Sequence, residues 1–400
     1  MAKTFFGLPE KVVFCRRCVI SNQRPSSTVE FRHTRADVKS TIGFAADGIC
    51  DACHFNDVKE AEIDWKLRED NLMRLLDKHR TNDARYDVIV PGSGGKDSAY
   101  TSHVLKYKYG MNPLTVTWAP HRYTDIGWQN FQYWIDVGGH DNILFTPNGR
   151  LHRYLTRLAF LNLLHPFQPF IIGQRIIGPL IASKFGVKLV MYGENQAEYG
   201  NNPDENQTPM MDRKFFSAGD PNDIMLGGVS IRDLIAEDKF KMPDFAPYIP
   251  PDAAQLEAQG VEVRYLGYYL KWDPQECFYY ASEHTGFKAN TERTEGTYSK
   301  YSSIDDKIDM FHYYTTLIKF GIGRATYDAS QEIRNGKITR EEGVHLVKKY
   351  DQEFPSKYFK DFLEYIDVNE AEFFETIDKF RSPHLWEERD GTWVLKHQVA

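Results

Sequence analysis

A chain of 400 residues, 42% of them hydrophobic, is long enough to bury a sizeable core, and its length suggests two or three domains. A net charge of −7 argues against a general nucleic-acid surface, though not against a local basic patch. No apolar run approaches the roughly 20 residues that cross a bilayer, and the opening Met1-Ala-Lys-Thr-Phe-Phe6 lacks the apolar stretch of a secretory signal, so a soluble cytoplasmic enzyme is expected.

Two CxxC motifs come first, Cys15-Arg-Arg-Cys18 and Cys50-Asp-Ala-Cys53. Each short turn presents two sulfurs, which is the spacing of a tetrahedral four-thiolate zinc site. Two disulfides or a redox CxxC are the competing readings. A reducing cytoplasm disfavours the first, and the second normally sits at a helix start in a βαβ setting. Residues between the motifs include Arg24-Pro-Ser-Ser27 and Asp47-Gly48 but few apolar side chains, so a small ribbon spanning 1–60 would depend on a structural zinc. Cys277 reads as a buried small hydrophobe. Residues 61–83 then place Ile63, Leu67, Leu72, Leu75 and Leu76 near helical spacing, which predicts a connecting amphipathic helix.

The apolar run Tyr86–Val90 predicts a strand and Ala99–Tyr109 a helix, with Ser93-Gly-Gly-Lys-Asp-Ser98 between them. Strand, glycine turn and helix start form a phosphate cradle: glycines let the backbone approach an anion, helix amides point at it, and Lys96 adds charge. It is not a Walker loop, because Val90 and Asp97 occupy the first glycine and the Ser/Thr positions. Nor is it a dinucleotide fingerprint, because Gly92 and Gly94 are followed by Asp97 where the third glycine belongs. Further strands are predicted at 114–118, 142–145, 186–192 and 261–266. Helices are predicted at 130–137, 151–164, 175–185 and 274–285. This alternation predicts an α/β fold with a doubly wound, mainly parallel sheet over 84–290. Ligands of such sheets bind beyond the strand carboxyl ends, where the Ser93 loop, Thr117-Trp118 and Glu194-Asn195 would converge. Glu194 reads equally as a magnesium or substrate contact and as a cap or surface charge.

Residues 201–251, rich in Pro, Gly, Asp and Asn, are expected to form an insertion over the site rather than a core element. Residues 291–400 read as a helical region, with helices at 303–320, 328–335 and 340–350 and two short ones within 355–380. Thr339 with Glu342 forms a capping box ahead of the third. Asp305-Asp306 could hold magnesium or open a helix.

The Ser93–Ser98 loop resembles the SGGxDS loop of the ATP pyrophosphatase (PP-loop) superfamily. Several longer stretches resemble one branch of it, the N-acetyl sugar amidotransferases: Trp118-Ala-Pro-His-Arg-Tyr-Thr-Asp-Ile-Gly-Trp128, His165-Pro-Phe-Gln-Pro-Phe170, Tyr192-Gly-Glu-Asn195, Glu295-Gly-Thr-Tyr-Ser-Lys-Tyr-Ser-Ser303 and Lys319-Phe-Gly-Ile-Gly-Arg-Ala-Thr-Tyr-Asp328. The resemblance implies an AMP-forming ligase that uses ATP and Mg2+ to turn the acetamido group of a nucleotide-linked sugar into an acetamidino group, in lipopolysaccharide or flagellar-glycan biosynthesis. It further implies ammonia from a separate glutaminase subunit, sometimes with a barrel partner. Consistent with that, Ala2 and Lys3 stand where a class II glutaminase would carry its cysteine, and Cys277 lacks a nucleophile-elbow setting. By the same resemblance Ser93, Gly94, Gly95, Lys96 and Ser98 would hold pyrophosphate, Asp97 would lie near magnesium, and Thr117 and Trp118 would border the adenosine. Lys96, Asp97 and Glu194 form the candidate catalytic set. Arg293, Lys300 and Arg324 are candidate contacts to the sugar nucleotide's anionic groups, with Tyr298 and Tyr301 to stack or hydrogen-bond. The alternatives are a PP-loop tRNA-modifying enzyme of the thiolation or lysidine type, against which only Cys277 is spare, and a non-enzymatic zinc-ribbon interaction protein.

Overall fold

The structure, a computed structural model, describes residues 3–81, 83–194, 198, 201, 207–237 and 239–400. The Asn195 contribution to the expected site therefore lies outside the described residues. Helices α1 (Asp51–Ala61) and α2 (Trp65–His79) lead from the cysteine motifs. They are followed by β1 (Val88–Pro91), α3 (Lys96–His103, prolonged by a π-helical turn to Lys108), β2 (Pro113–Trp118), α4 (Asp125–Asp136) and β3 (Asp141–Phe145). Next come α5 (Gly149–Leu163), α6 (Gln168–Phe185) and β4 (Leu189–Tyr192). A hairpin of β5 (Met225–Leu226) and β6 (Val229–Ser230) with α7 (Ile231–Ala236) precedes α8 (Ala253–Gln259), β7 (Glu262–Tyr265) and α9 (Pro274–His284).

Five of these strands form one wholly parallel sheet in the order β3-β2-β1-β4-β7. Alternation along the strands feeds two layers. Ile89, Val190 and Val263 join Ile172, Ile176 and Ile177 of α6 in one apolar cluster, while Val88, Val90, Leu189 and Met191 join Leu72, Leu75 and Leu76 of α2 in another. The doubly wound α/β fold expected from the sequence is thus present. Because β2 and β4 flank β1 on opposite sides, the strand order reverses at β1, and the crevice beyond β1 and β4 is the natural ligand site.

The C-terminal region is helical: α10 (Asp309–Phe320), α11 (Arg324–Arg334), α12 (Arg340–Tyr350), α13 (Phe359–Ile366) and α14 (Glu370–Asp378). The Thr339–Glu342 capping box is formed. A final hairpin, β8 (Trp386–Arg389) with β9 (Thr392–Leu395), has no counterpart in the sequence expectations. α10 starts six residues later than expected, because Ser303 is left-handed (φ 55°) and Asp306 turns back to accept from the Ile308 amide.

One expectation is corrected. The described part of 201–251 is built into the core: Phe215, Ile224, Leu226, Ile231, Leu234, Phe245 and Tyr248 are buried in the cluster that contains α6. Its prolines and glycines shape short elements whose apolar side chains still point inward. No helix among the described residues is long and apolar enough to cross a membrane.

Candidate functional site

Beyond β1 the loop Gly92–Gly95 turns sharply into α3. Gly94 has φ +82°, and a Cβ there would sit 2.8 Å from the Phe131 Cα, so only glycine fits. The Ser98 hydroxyl accepts from the Gly94 amide at 3.2 Å and donates to the Gly95 carbonyl at 3.0 Å, bracing the loop from inside. Gly95 is the N-cap, so the first amides of α3, which have no intrahelical acceptor, face outward with the positive end of the helix dipole.

Lys96 is nearly buried, and its Nζ lies 2.5 Å from Asp97 Oδ2. Burial opposes its charge, but Asp97 and Glu194 outweigh burial and raise its pKa above the ordinary lysine value. Asp97 Oδ1 is buried with no hydrogen-bond partner among the described residues. Together with Glu194 across the same cleft, this orphaned carboxylate oxygen fits a hard divalent cation such as magnesium.

Three clefts meet at Lys96 and Asp97 or their immediate neighbours. One beside the helical region, about 370 Å³, is lined by Lys96, Asp97, Glu194, Tyr301, Arg324 and Glu332. A second runs over Ser93–Asp97 to Ser302–Asp305 and Arg324. A third, about 380 Å³, lies on the other flank between Ser93, Ser98, Arg175, Glu194 and Tyr265. Ser93 donates to Asp305, whose carboxyl is pushed up by burial and pulled back by that bond.

Of the five candidates for the sugar nucleotide, Arg324 and Tyr301 reach this centre. Arg324 lies 3.0 Å from Asp328 and over the Tyr313 ring at 4.3 Å, an arrangement that keeps its guanidinium charged. Tyr301 stacks on Phe278, ring centroids 4.3 Å apart. The other three do not line these clefts. Arg293 is clamped by both oxygens of Glu353 at 2.6 Å, and the Tyr298 hydroxyl donates to Glu332 at 2.7 Å. Lys300 is exposed and donates to the Thr291 carbonyl. Thr117 and Trp118 are also displaced from the expected role. Thr117 is fully buried and accepts from Asn142, while the Trp118 indole fills the space left by Gly173 and packs on Phe145 and Tyr248. Asp306 neither opens a helix nor faces a cleft: its carboxylate accepts from the His121 amide and ring and from the Arg122 amide.

Sequence reasoning missed Asp328, Glu332 and Asp273 of the main cleft. The first two lie one and two i,i+4 steps beyond Arg324 on α11, a spacing that puts all three on one face and was readable. Asp273 reads only as a helix cap, which it is, accepting from the Gln275 and Glu276 amides.

The cysteines form a separate centre. The four Sγ atoms are buried and lie within 4.8 Å of one another, Cys15 to Cys53 at 3.9 Å and Cys18 to Cys50 at 3.7 Å. Those separations rule out paired disulfides, whose sulfurs lie about 2 Å apart, and match the edges of a tetrahedron with bonds of about 2.3 Å, as zinc requires. The Arg17, Cys18 and Cys50 amides point at Cys15 Sγ, and the part-buried Arg334 guanidinium, whose charge is opposed by burial but favoured by nearby thiolates, would offset a four-thiolate site. Ile322, Tyr327 and Ile333 pack against the cysteines.

With this geometry in view, residues 295–399 match the family described as "LPS biosynthesis protein WbpG-like, C-terminal domain". That segment supplies Tyr301, Asp305 and Arg324. No curated protein matches the chain. Solved structures that resemble it include NMN synthetase from Francisella tularensis, 12% identical over 72% of this chain and 94% of that one with a TM-score of 0.29. Another is a predicted subunit of tRNA methyltransferase from Methanocaldococcus jannaschii DSM, 12% identical over 62% and 91%, TM-score 0.26. Likenesses this distant carry no argument about function.

Proposed function

We propose that the protein is an ATP-dependent, AMP-forming amidotransferase that converts the acetamido group of a nucleotide-activated sugar into an acetamidino group during surface-glycan biosynthesis. One observation carries the reading: the segment similar to a lipopolysaccharide-biosynthesis domain and the glycine loop line the same clefts, with Arg324 facing Lys96 and Asp97.

An amide carbon is a poor electrophile and its oxygen a poor leaving group, so ammonia alone does not displace it. Attack of the acetamido oxygen on the α-phosphorus of ATP breaks the bond to pyrophosphate and leaves an imidoyl adenylate. Ammonia then adds to the carbon, and AMP departs with the oxygen. The α3 amides and Lys96 hold the departing pyrophosphate. Gly94 and Gly95 let it approach the backbone, with Ser93 at the mouth and Ser98 keeping the turn shut. Asp97 and Glu194 would hold magnesium, which supplies charge neutralisation on the phosphates. Arg324, fixed by Asp328 and Tyr313, takes charge on the α-phosphate or the acceptor, and Tyr301 offers a ring and hydroxyl to the sugar. The zinc is structural. Ammonia comes from a separate glutaminase, with or without a barrel-type partner; neither membrane nor nucleic acid is required.

With ATP, Mg2+, ammonium and a UDP- or CMP-linked diacetamido sugar, the expected products are AMP, pyrophosphate and a sugar about one mass unit lighter, as NH replaces O. Lys96→Ala should abolish turnover with the fold intact. Formation of ADP and phosphate, or wild-type turnover in that variant, would overturn the reading.

A further inference from the structure

Behind the main cleft lies a smaller cavity of about 190 Å³, and its lining is unusual in charge. Lys39, Arg175 and Lys319 face it against a single carboxylate, Glu30. That carboxylate is already engaged, Oε2 with His33 Nδ1 at 2.9 Å and Oε1 with His165 Nε2 at 3.4 Å. Lys39 Nζ lies 2.9 Å from His33 Nε2 and 3.0 Å from the Thr28 hydroxyl. An ammonium has no lone pair, so His33 Nε2 accepts and its Nδ1 carries the proton to Glu30. This relay accounts for the Glu30–His33–His165 cluster without a metal.

Around the cations lie carbonyls, hydroxyls, imidazoles and the Phe215 and Phe320 rings, with Glu30 the one carboxylate among the described residues that line the cavity. Lys319, 5% exposed, donates to the Leu163 carbonyl at 3.0 Å, and Arg175 donates to the Thr28 carbonyl at 3.2 Å. Burying positive charge without a counter-ion is costly. Burial, and then the Lys39 charge, bring the Lys319 pKa down to about 7 against the opposing pull of Glu30, and burial also lowers Lys39. His165 is lowered to about 4 by burial, and His312 lies well below its ordinary value, so neither adds charge at neutral pH.

The cavity adjoins the clefts of the reaction centre on two sides. It shares His312, Thr316 and Tyr327 with the main cleft, and Ile171 and Arg175 with the cleft between Ser93 and Glu194. The phosphates of ATP belong to the glycine loop, so an anion here comes from the other substrate.

We propose that Lys39, Arg175 and Lys319, with the Ser27 and Thr28 segment, form an oxyanion subsite that receives the phosphoryl or carboxylate end of the acceptor while its reacting end lies at Lys96 and Arg324. This rests on the function proposed above, which it extends by locating the acceptor's charged group. A purely structural role for Lys319, tying down the end of α5, is the competing explanation.

The test uses the full chain with Mg2+ and saturating α,β-methylene ATP to fill the glycine loop. UDP and CMP are titrated calorimetrically as phosphoryl probes and glucuronate as the carboxylate probe. At least one should bind, its affinity falling about tenfold or more in Lys319→Met and in Lys39→Met, with affinity for the ATP analogue unchanged. The ligand-free Lys319→Met protein should melt higher than wild type, because an uncompensated charge is gone. Equal binding in wild type and both variants, no binding of any probe, or a lowered melting temperature in Lys319→Met would overturn the subsite. Lys319-dependent probe binding without AMP formation from any acetamido sugar would retain the subsite and remove the amidination reading. AMP formation with an unchanged acceptor KM in Lys319→Met would do the reverse.

Discussion

At the scale of single residues, the glycine loop and the arginines make the sharpest claims. Gly94→Ala places a Cβ against the Phe131 backbone at a positive φ, at an expected cost of about 1–3 kcal/mol, together with loss of ATP-dependent turnover. Thermal melts and AMP release measure the two effects, and wild-type values for both would contradict the tight-cradle account. Arg324→Ala should lower kcat by about 100-fold or more and also destabilise the fold, because it leaves the largely buried Asp328 without its partner. Arg293→Ala should lose at most about 1 kcal/mol from a partly exposed pair without changing kcat or KM. Sequence alone assigned the two arginines alike. What separates them is Glu353, which lies far from Arg293 in the chain and captures it in the fold. Lys96, Asp97 and Ser98 were legible because strand, turn and helix start are neighbours in sequence.

At the scale of elements, the cysteine ribbon was readable from spacing, but its setting was not. Cys50 is the N-cap of α1, so the second motif begins a helix, and Ile322, Tyr327 and Ile333 of the helical region complete the ribbon's apolar packing. Zinc should therefore stabilise more than residues 1–60. Chelation, or Cys50→Ser, is expected to lower the melting temperature of the whole protein and to abolish stoichiometric metal in elemental analysis; an unchanged melt would refute the structural role. Segment 201–251 shows the converse limit. Its composition signals turns, and that signal hid the buried Phe245 and Tyr248, whose partners on α5 and α6 are remote in sequence.

At the scale of the whole molecule, buried charge links stability to pH. Lys319 titrates near 10.5 when unfolded and about 7 when folded, so between those values the unfolded chain holds more protons and stability rises with pH. Asp309, raised to about 7, and Asp351, raised to about 6, act in the opposite sense, losing stability as pH climbs through those values; burial is the first cause in each. The difference between wild type and Lys319→Met isolates the lysine. Denaturant midpoints should diverge most at about pH 7 and below, with the variant more stable, and converge toward about pH 10; parallel profiles would exclude a depressed lysine.

The N-terminal segment is also stitched to the last helical turns and hairpin. The Phe5 amide donates to Ser382, Phe6 packs on Phe320 and Phe380, and the Gln23 side-chain Oε1 lies 3.0 Å from His384 Nε2. On the ribosome, the parallel sheet and its glycine loop emerge well before residues near 382. A nascent chain thus presents the glycine loop before the wall that carries Arg324, and early residues wait for late ones before they dock. Under the function proposed above, the order of synthesis leaves the cleft without its second wall until the helical region has emerged and docked.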